Sequence, residues 1–414
     1  MRAQHEGVPF TSARSAGIVA AIIAASLTTS LTVPPILPRM LAHFAGVPGV
    51  TLLVPLVVSL PLMISTVAAP ITGILSDRFG RRPIVLGASA LSAILGILPY
   101  WLDSLMAILV ARALMGLTTG ALLACTSALI GDFFAGPRRR GVLGAKYAAL
   151  GIAHIVTFIV IGHLAATNWR NAFWIFLWGL VAAALVAAFI PRQTEFRARH
   201  DAPSAIVPWR KLAAVFLGVY LGHATFDVVL SGVPFLLEQR GFGGTRAASY
   251  FSAVAATGML IGASSYPFLG RRISGPVLWC VTFGFASVGY ATLASATSRP
   301  GIVLGTLIAT MGCGLVSPNS LHMLFDAVPL HARGRVSGVH TVFFFLGLAT
   351  GPLVGIGGAK LLGSSSRLYT CLSAALLAIL TVYAVLARRA ANQSGRNSCT
   401  KKRSPSARFS AKTS

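Results

Sequence analysis

Acidic side chains are nearly missing from this sequence. Nine Asp and Glu stand against 34 Lys and Arg in 414 residues, and charged residues of all types make up only 10% of the chain. A soluble chain of this length carries about 25% charged residues, so a water-solvated fold is excluded. Cysteine is sparse and unpatterned. Cys125, Cys280, Cys313, Cys371 and Cys399 form no CxxC and no Cys/His ligand spacing, so neither a disulfide framework nor a metal centre is indicated. There is no phosphate-binding loop, no nucleophile constellation and no polar segment large enough to fold alone. Enzyme chemistry is therefore not expected: there are no catalytic residues to assign, no cofactor is called for, and an ATP drive would need a partner subunit. The excess of base invites a nucleic-acid reading. The basic residues fall in every second polar segment, however, which is the positive-inside pattern of a membrane protein, and no nucleic-acid partner is expected.

What the chain does contain is apolar. Its residues are 55% hydrophobic with a mean hydropathy of +0.77, gathered into runs of roughly 20, the length that spans a bilayer as a helix. The runs do not alternate apolar with polar as barrel strands would. The fold class is read as an all-α polytopic membrane protein with twelve spans, at about 17–37, 51–74, 84–102, 106–131, 142–165, 171–190, 212–236, 247–269, 276–296, 301–325, 336–361 and 367–387. Residues 1–16 are polar and the first run is long enough to span, so a cleaved signal peptide is not expected. A polar, basic stretch at 191–211 separates two six-helix bundles, 17–190 and 212–387. The Ser-, Lys- and Arg-rich tail at 388–414 is expected to be disordered.

Counting Lys and Arg fixes the expected orientation. With both termini in the cytoplasm, 26 fall on the inside, 7 on the outside, and Arg112 alone within a span. The halves also echo each other. Asp132, Arg139, Val142 and Gly144 recur at matching offsets as Asp326, Arg333, Val336 and Gly338. Parallel six-helix repeats place a transport site near mid-membrane between the halves.

Between the second and third spans runs Gly73-Ile-Leu-Ser-Asp77-Arg78-Phe-Gly80-Arg81-Arg82. This stretch resembles the G-x-L-S-D-R-x-G-R-R loop of the major facilitator superfamily, and its place in a twelve-span frame matches too. Arg112-Ala-Leu-Met115-Gly116, followed by Gly120, is similar to that family's R-x-x-Q-G-x-x-x-G pattern, with Met115 where Gln is usual. Asn168-Trp169-Arg170 with Phe173 resembles the G-W-R-x-x-F loop of the drug:proton antiporter branch. Gly347, Gly351, Pro352 and Gly355 carry that branch's glycine-proline pattern, but in span eleven rather than span five. The resemblance covers about residues 17–387. It implies a cytoplasmic gate in which Arg81 meets Asp132 and Asp77 meets the start of span eleven near Arg335. The alternative is that these arginines only anchor the topology.

Three polar positions inside spans stand out. Asp227 is the one acid well within a span, and His223 one turn before it shares its face. The pair could bind and release a proton, or it could be a hydrogen-bonded pair holding two helices together. Arg112 faces an internal cavity or partner, since an unpaired guanidinium in lipid is costly, or else it snorkels to the interface. Asn319, beside Pro318, could line the cavity. His154, His163, His322 and His340 read as satisfied polar residues, and Phe343, Phe344 and Phe345 as packing. The reading is a secondary transporter working by alternating access, exporting hydrophobic or weakly cationic small molecules against a proton gradient. The alternative is uptake of a small metabolite by symport or facilitated diffusion. The expected setting is a bacterial inner membrane, with the protein a monomer whose partners are its substrate and the bilayer.

Overall fold

The computed structural model describes residues 12–134, 136–191, 207–328 and 333–403. Among them no strand forms, and twelve helical segments order the chain. They are α1 Ser12–Leu27, α2 Val50–Phe79, α3 Arg81–Ile97, α4 Leu105–Phe133, α5 Gly136–Leu164 and α6 Trp169–Phe189, then α7 Trp209–Gln239, α8 Thr245–Leu269, α9 Gly275–Ser295, α10 Arg299–Asp326, α11 Val336–Leu361 and α12 Ser365–Arg403. Eleven are long and apolar enough to cross a membrane, and α1 is a shorter apolar helix. Large side chains such as Val67, Ile74, Val110, Val288 and Val382 are exposed on the outside of the bundle. In water that surface would be a liability; in lipid it is the solvated face.

The chain's punctuation explains the boundaries. Gly80 sits at φ +85°, ψ 150°, a left-handed conformation that favours glycine, and it reverses the chain between α2 and α3. Ser104 caps α4 by accepting from Ala107 N, and Ser298 caps α10 by accepting from Gly301 N.

Three expectations shift. The first span does not run to residue 37. α1 stops at Leu27, two 3-10 turns follow at Thr28–Ser30 and Pro34–Ile36, and a short helix begins at Leu37. Pro34 and Pro35 lack N–H donors and restrict the residue before them, so a continuous helix cannot pass. In the tail, α12 stays helical to Arg403. Its Ala, Arg, Lys and Gln residues favour helix and extend a turn already nucleated by the span. Residues 192–206, most of the central loop, lie outside the described residues. Finally Lys146, counted with a loop, is fully buried inside the span Gly144–Leu164.

Three apolar clusters hold the bundle. One lies wholly in the first half, from Ile18 to Ile190, and one wholly in the second, from Val207 to Tyr383. The third joins the halves. It takes Val33, Ile36, Leu37 and Met40 from the first half, with Phe226, Leu230, Ala253 and Ile356 from the second. These residues all lie toward the face opposite the Gly80 turn. That turn marks the basic face, where most of the arginines sit. At the opposite face Gly162 of α5 meets Ser249 of α8 so closely that an added Cβ would lie 2.7 Å from the serine Cβ. Lys360 Nζ also donates to Thr51 Oγ1 across the halves at 3.1 Å. At the basic face Gly73, Gly144 and Gly338 have open space beside them instead. The two halves are therefore joined at the opposite face.

Candidate functional site

The turn at the basic face is built from within the first half. Arg81 Nη1 pairs with Asp132 Oδ1 at the end of α4, a pair that keeps contact with solvent. Arg82 donates from Nε to Ile190 O at 2.6 Å and from Nη2 to Ala187 O at 2.8 Å. It thereby satisfies the free carbonyls at the C-terminus of α6 and complements that helix's dipole. Arg78 lies 5.6 Å from the Phe79 ring centroid. The side chains of Asp77 and Arg335 lie outside the described residues.

Deeper in the first half, Gly116 and Gly120 let α2 pack directly on α4. A Cβ at Gly116 would lie 2.6 Å from Pro61 O, and one at Gly120 would lie 2.9 Å from Ala69 N. Small residues at such seams are what membrane helices use to approach closely. Ser65 Oγ rivets the seam by approaching Gly116 O at 2.9 Å and Pro61 O at 2.7 Å. This packing places Arg112, one turn earlier, beside a small cavity of about 50 Å³. The cavity is walled by Thr29, Thr32, Val57, Leu62, Met115 and Thr119, among others.

Arg112 does not snorkel: it is 2% exposed. Its guanidinium lies 4.8 Å from the Phe173 ring centroid and 4.6 Å from that of Phe176, an arrangement that suits the face of an aromatic quadrupole. Its one hydrogen bond goes from Nη1 to Met115 Sδ at 3.1 Å. A thioether is a weak acceptor, and Nε and Nη2 have no partner.

In the second half, Asp227 is 3% exposed and its Oδ2 has no hydrogen-bond partner. It is wedged against α11. A Cβ at Gly351 would lie 2.5 Å from Asp227 Cβ, one at Gly347 would lie 2.5 Å from Tyr220 O, and one at Gly355 would lie 3.2 Å from Val228 O. The glycine-proline pattern of α11 is thus a packing seam for the α7 face that bears the acid. At its Gly355 end the backbone loosens to a π turn at Leu353–Gly357, a local irregularity frequent at functional sites.

His223 shares the helix with Asp227 but bonds elsewhere. Its Nδ1 lies 2.8 Å from Val219 O and its Nε2 lies 3.1 Å from Ser317 Oγ. A carbonyl can only accept, so in the neutral ring Nδ1 carries the proton and Nε2 accepts from the serine. Its ring packs on Phe344 at 4.3 Å. Ser320 Oγ approaches Ser317 O at 3.0 Å and His340 Nε2 at 2.9 Å, so a polar chain runs from α11 through α10 to α7. Asn319 does not line the described cavity. It is fully buried and donates from Nδ2 to Gly275 O at 3.0 Å, tying α10 to the start of α9. Phe343 stacks on Phe216 and Phe345 is buried, so these rings serve as packing. The remaining span histidines each have a partner: His154 with Leu150 O, His163 with Ile159 O and His322 with Asp326.

Lys146 is what reading the sequence missed. Its Nζ donates to Thr126 Oγ1 at 3.1 Å and Ser127 Oγ at 2.8 Å. The internal repeat could have found it. Lys146 and His340 each stand fourteen residues after the matching aspartates Asp132 and Asp326. Their hydroxyl partners Thr126 and Ser320 each stand six before. Both halves thus bury a basic group of the fifth helix against a hydroxyl of the fourth.

Residues 18–352 match the model of the Major Facilitator Superfamily. The chain is 24% identical to the inner membrane transport protein YajR of Escherichia coli over 68% of its length and 64% of that protein's; it thus spans less than two thirds of YajR. It is 26% identical to the 3-(3-hydroxy-phenyl)propionate transporter of Escherichia coli, covering 78% of this chain and 81% of that one. With the multi-drug resistance efflux pump PmrA of Streptococcus pneumoniae it shares 25% over 80% and 83%. Its fold is similar to that of the human organic anion transporter MFSD10 (TM-score 0.67, 18% identity, 89% of this chain and 99% of that one). With a family match over most of the chain, twelve helices in two halves and a cavity in the bundle, the protein is a membrane transporter of the Major Facilitator Superfamily.

Proposed function

We propose that this transporter exports hydrophobic small molecules by alternating access, driven by the proton gradient, with both termini in the cytoplasm of a bacterial cell. The observation that carries the proton assignment is Asp227, a buried acid with an unpartnered oxygen set in the seam between α7 and α11. A carboxyl group held between two helices can change their packing when it gains or loses a proton, because the charged form demands a partner that the neutral form does not. His223 and the Ser317–Ser320–His340 chain sit one turn away and supply a polar route toward the basic face. The Gly73–Arg82 turn, with Asp77, Asp132 and Arg335, acts as the gate at that face. The positive-inside distribution supports placing the basic face in the cytoplasm.

Direction is supported by the similarity to an efflux pump. Uptake of a small metabolite is the competing reading, favoured by the similarity to a phenylpropionate transporter of comparable coverage. The test is flux in proteoliposomes under an imposed pH gradient. Asp227→Asn is expected to lose gradient-driven accumulation while retaining counterflow. Unchanged gradient-driven flux would sink the proton role. Cells lacking the protein should become more sensitive to its substrates if it exports them; loss of growth on a substrate would instead establish uptake.

A further inference from the structure

We propose that the cavity at Arg112 seats a carboxylate of the transported molecule, so that the cargo is an apolar organic acid rather than a cation. The inference rests on the transporter reading above and adds to it the chemical class of the cargo.

Arg112 is a permanent charge inside a span. Its own half offers no counter-charge at the cavity. Asp103 is engaged by Arg170 at 2.7 Å and Asp132 by Arg81, and no acid lines the pocket. The guanidinium is already held in place by the Phe173 and Phe176 faces and by Nη1 on Met115 Sδ. The two nitrogens left unpartnered, Nε and Nη2, form one edge of the guanidinium plane. Their N–H bonds run parallel at the spacing of the two oxygens of a carboxylate, which makes this edge a bidentate fork. A buried charge with such an edge free costs several kcal/mol until an anion completes it.

The residue that leaves the edge free is visible in the sequence. Where the family pattern has Gln, this chain has Met115. A Gln carbonyl would compete strongly for the guanidinium, whereas a thioether competes weakly. The pocket is small, about 50 Å³, so it seats the carboxyl end of such a molecule and little more in this conformation. Val57, Val58, Pro61 and Leu62 present apolar walls beside the hydroxyl-bearing Thr29, Thr32 and Thr119.

The experiment uses the full-length protein in phosphatidylcholine nanodiscs. Thermal stability and tryptophan fluorescence are titrated with a graded panel of aryl- and alkylcarboxylates, each beside its own primary amide. The expected result is that at least one acid binds about tenfold or more tightly than its amide. That preference should be lost in Arg112→Met and reduced in Met115→Gln, which keeps the buried arginine and so guards against misfolding of the first variant. Equal binding of acid and amide, acid preference that survives both substitutions, or no acid bound from the whole panel would each overturn the proposal. So would Arg112-dependent stabilisation by phosphatidylglycerol alone, since the anion would then be a lipid headgroup. Acid-selective binding without flux in proteoliposomes would uphold the carboxylate site and overturn the transport reading.

Discussion

Lys146 shows how differently two buried cations can be housed. Arg112 rests on two aromatic faces, while the Lys146 ammonium is held by two hydroxyls. Removing a buried charge that has only neutral partners is often neutral or stabilising. Lys146→Met is therefore expected to hold or raise the melting temperature in detergent. A clear drop would mean that the ammonium is structural. Arg81→Met should act with the opposite sign, because it leaves Asp132 without the partner described here; a loss of about 1 kcal/mol is expected for so partly exposed a pair. An exchange, Arg81→Asp with Asp132→Arg, should recover part of it. Asp227 was legible in the sequence because an acid inside an apolar run has few innocent explanations. Lys146 was not, since four residues into its span it reads as one more member of the basic loop before it. The aromatic bed of Arg112 could not be read either: Phe173 and Phe176 come from another helix some sixty positions away.

At the scale of helices, glycines divide by what stands beside them. Gly351 has no room: its added Cβ would fall 2.5 Å from Asp227 Cβ. Gly351→Ala should cost about 1–3 kcal/mol through overpacking and separate α7 from α11. A thermal melt indistinguishable from the parent would contradict the seam. Gly73 is the opposite case, with nothing within 4 Å. Gly73→Leu is expected to leave the melting temperature unchanged yet slow transport, because the space it fills is needed when the basic face closes. Equal flux in this variant would mean that closure does not use that surface. The sequence displayed the glycine-proline pattern of α11, and the pattern matched a family usage from another span. That it serves as a seam for the acid-bearing face of α7 depends on which helix lies opposite, and no local pattern encodes that. The early end of α1, by contrast, could be read from Pro34 and Pro35.

For the whole molecule, the two-bundle plan was readable from charge, hydropathy and the Asp132–Asp326 repeat. The conformational state was not, because one sequence must serve both the open and the closed arrangement. In the described state the halves meet at Gly162 and Ser249. In a background without native cysteines, Gly162→Cys with Ser249→Cys should cross-link, halt transport and regain it on reduction. A cross-linked protein that still transports would place the moving contact elsewhere. The apolar cluster that seals this face has a consequence for biosynthesis as well. Val33, Ile36, Leu37 and Met40 leave the ribosome long before Phe226, Leu230 and Ile356, their partners in that cluster. The first bundle must therefore wait in the bilayer with one apolar surface unmatched until translation of the second is well advanced. Lipid covers that surface during the interval, so the two halves made as separate chains are expected to insert one by one and to pair only when both are present.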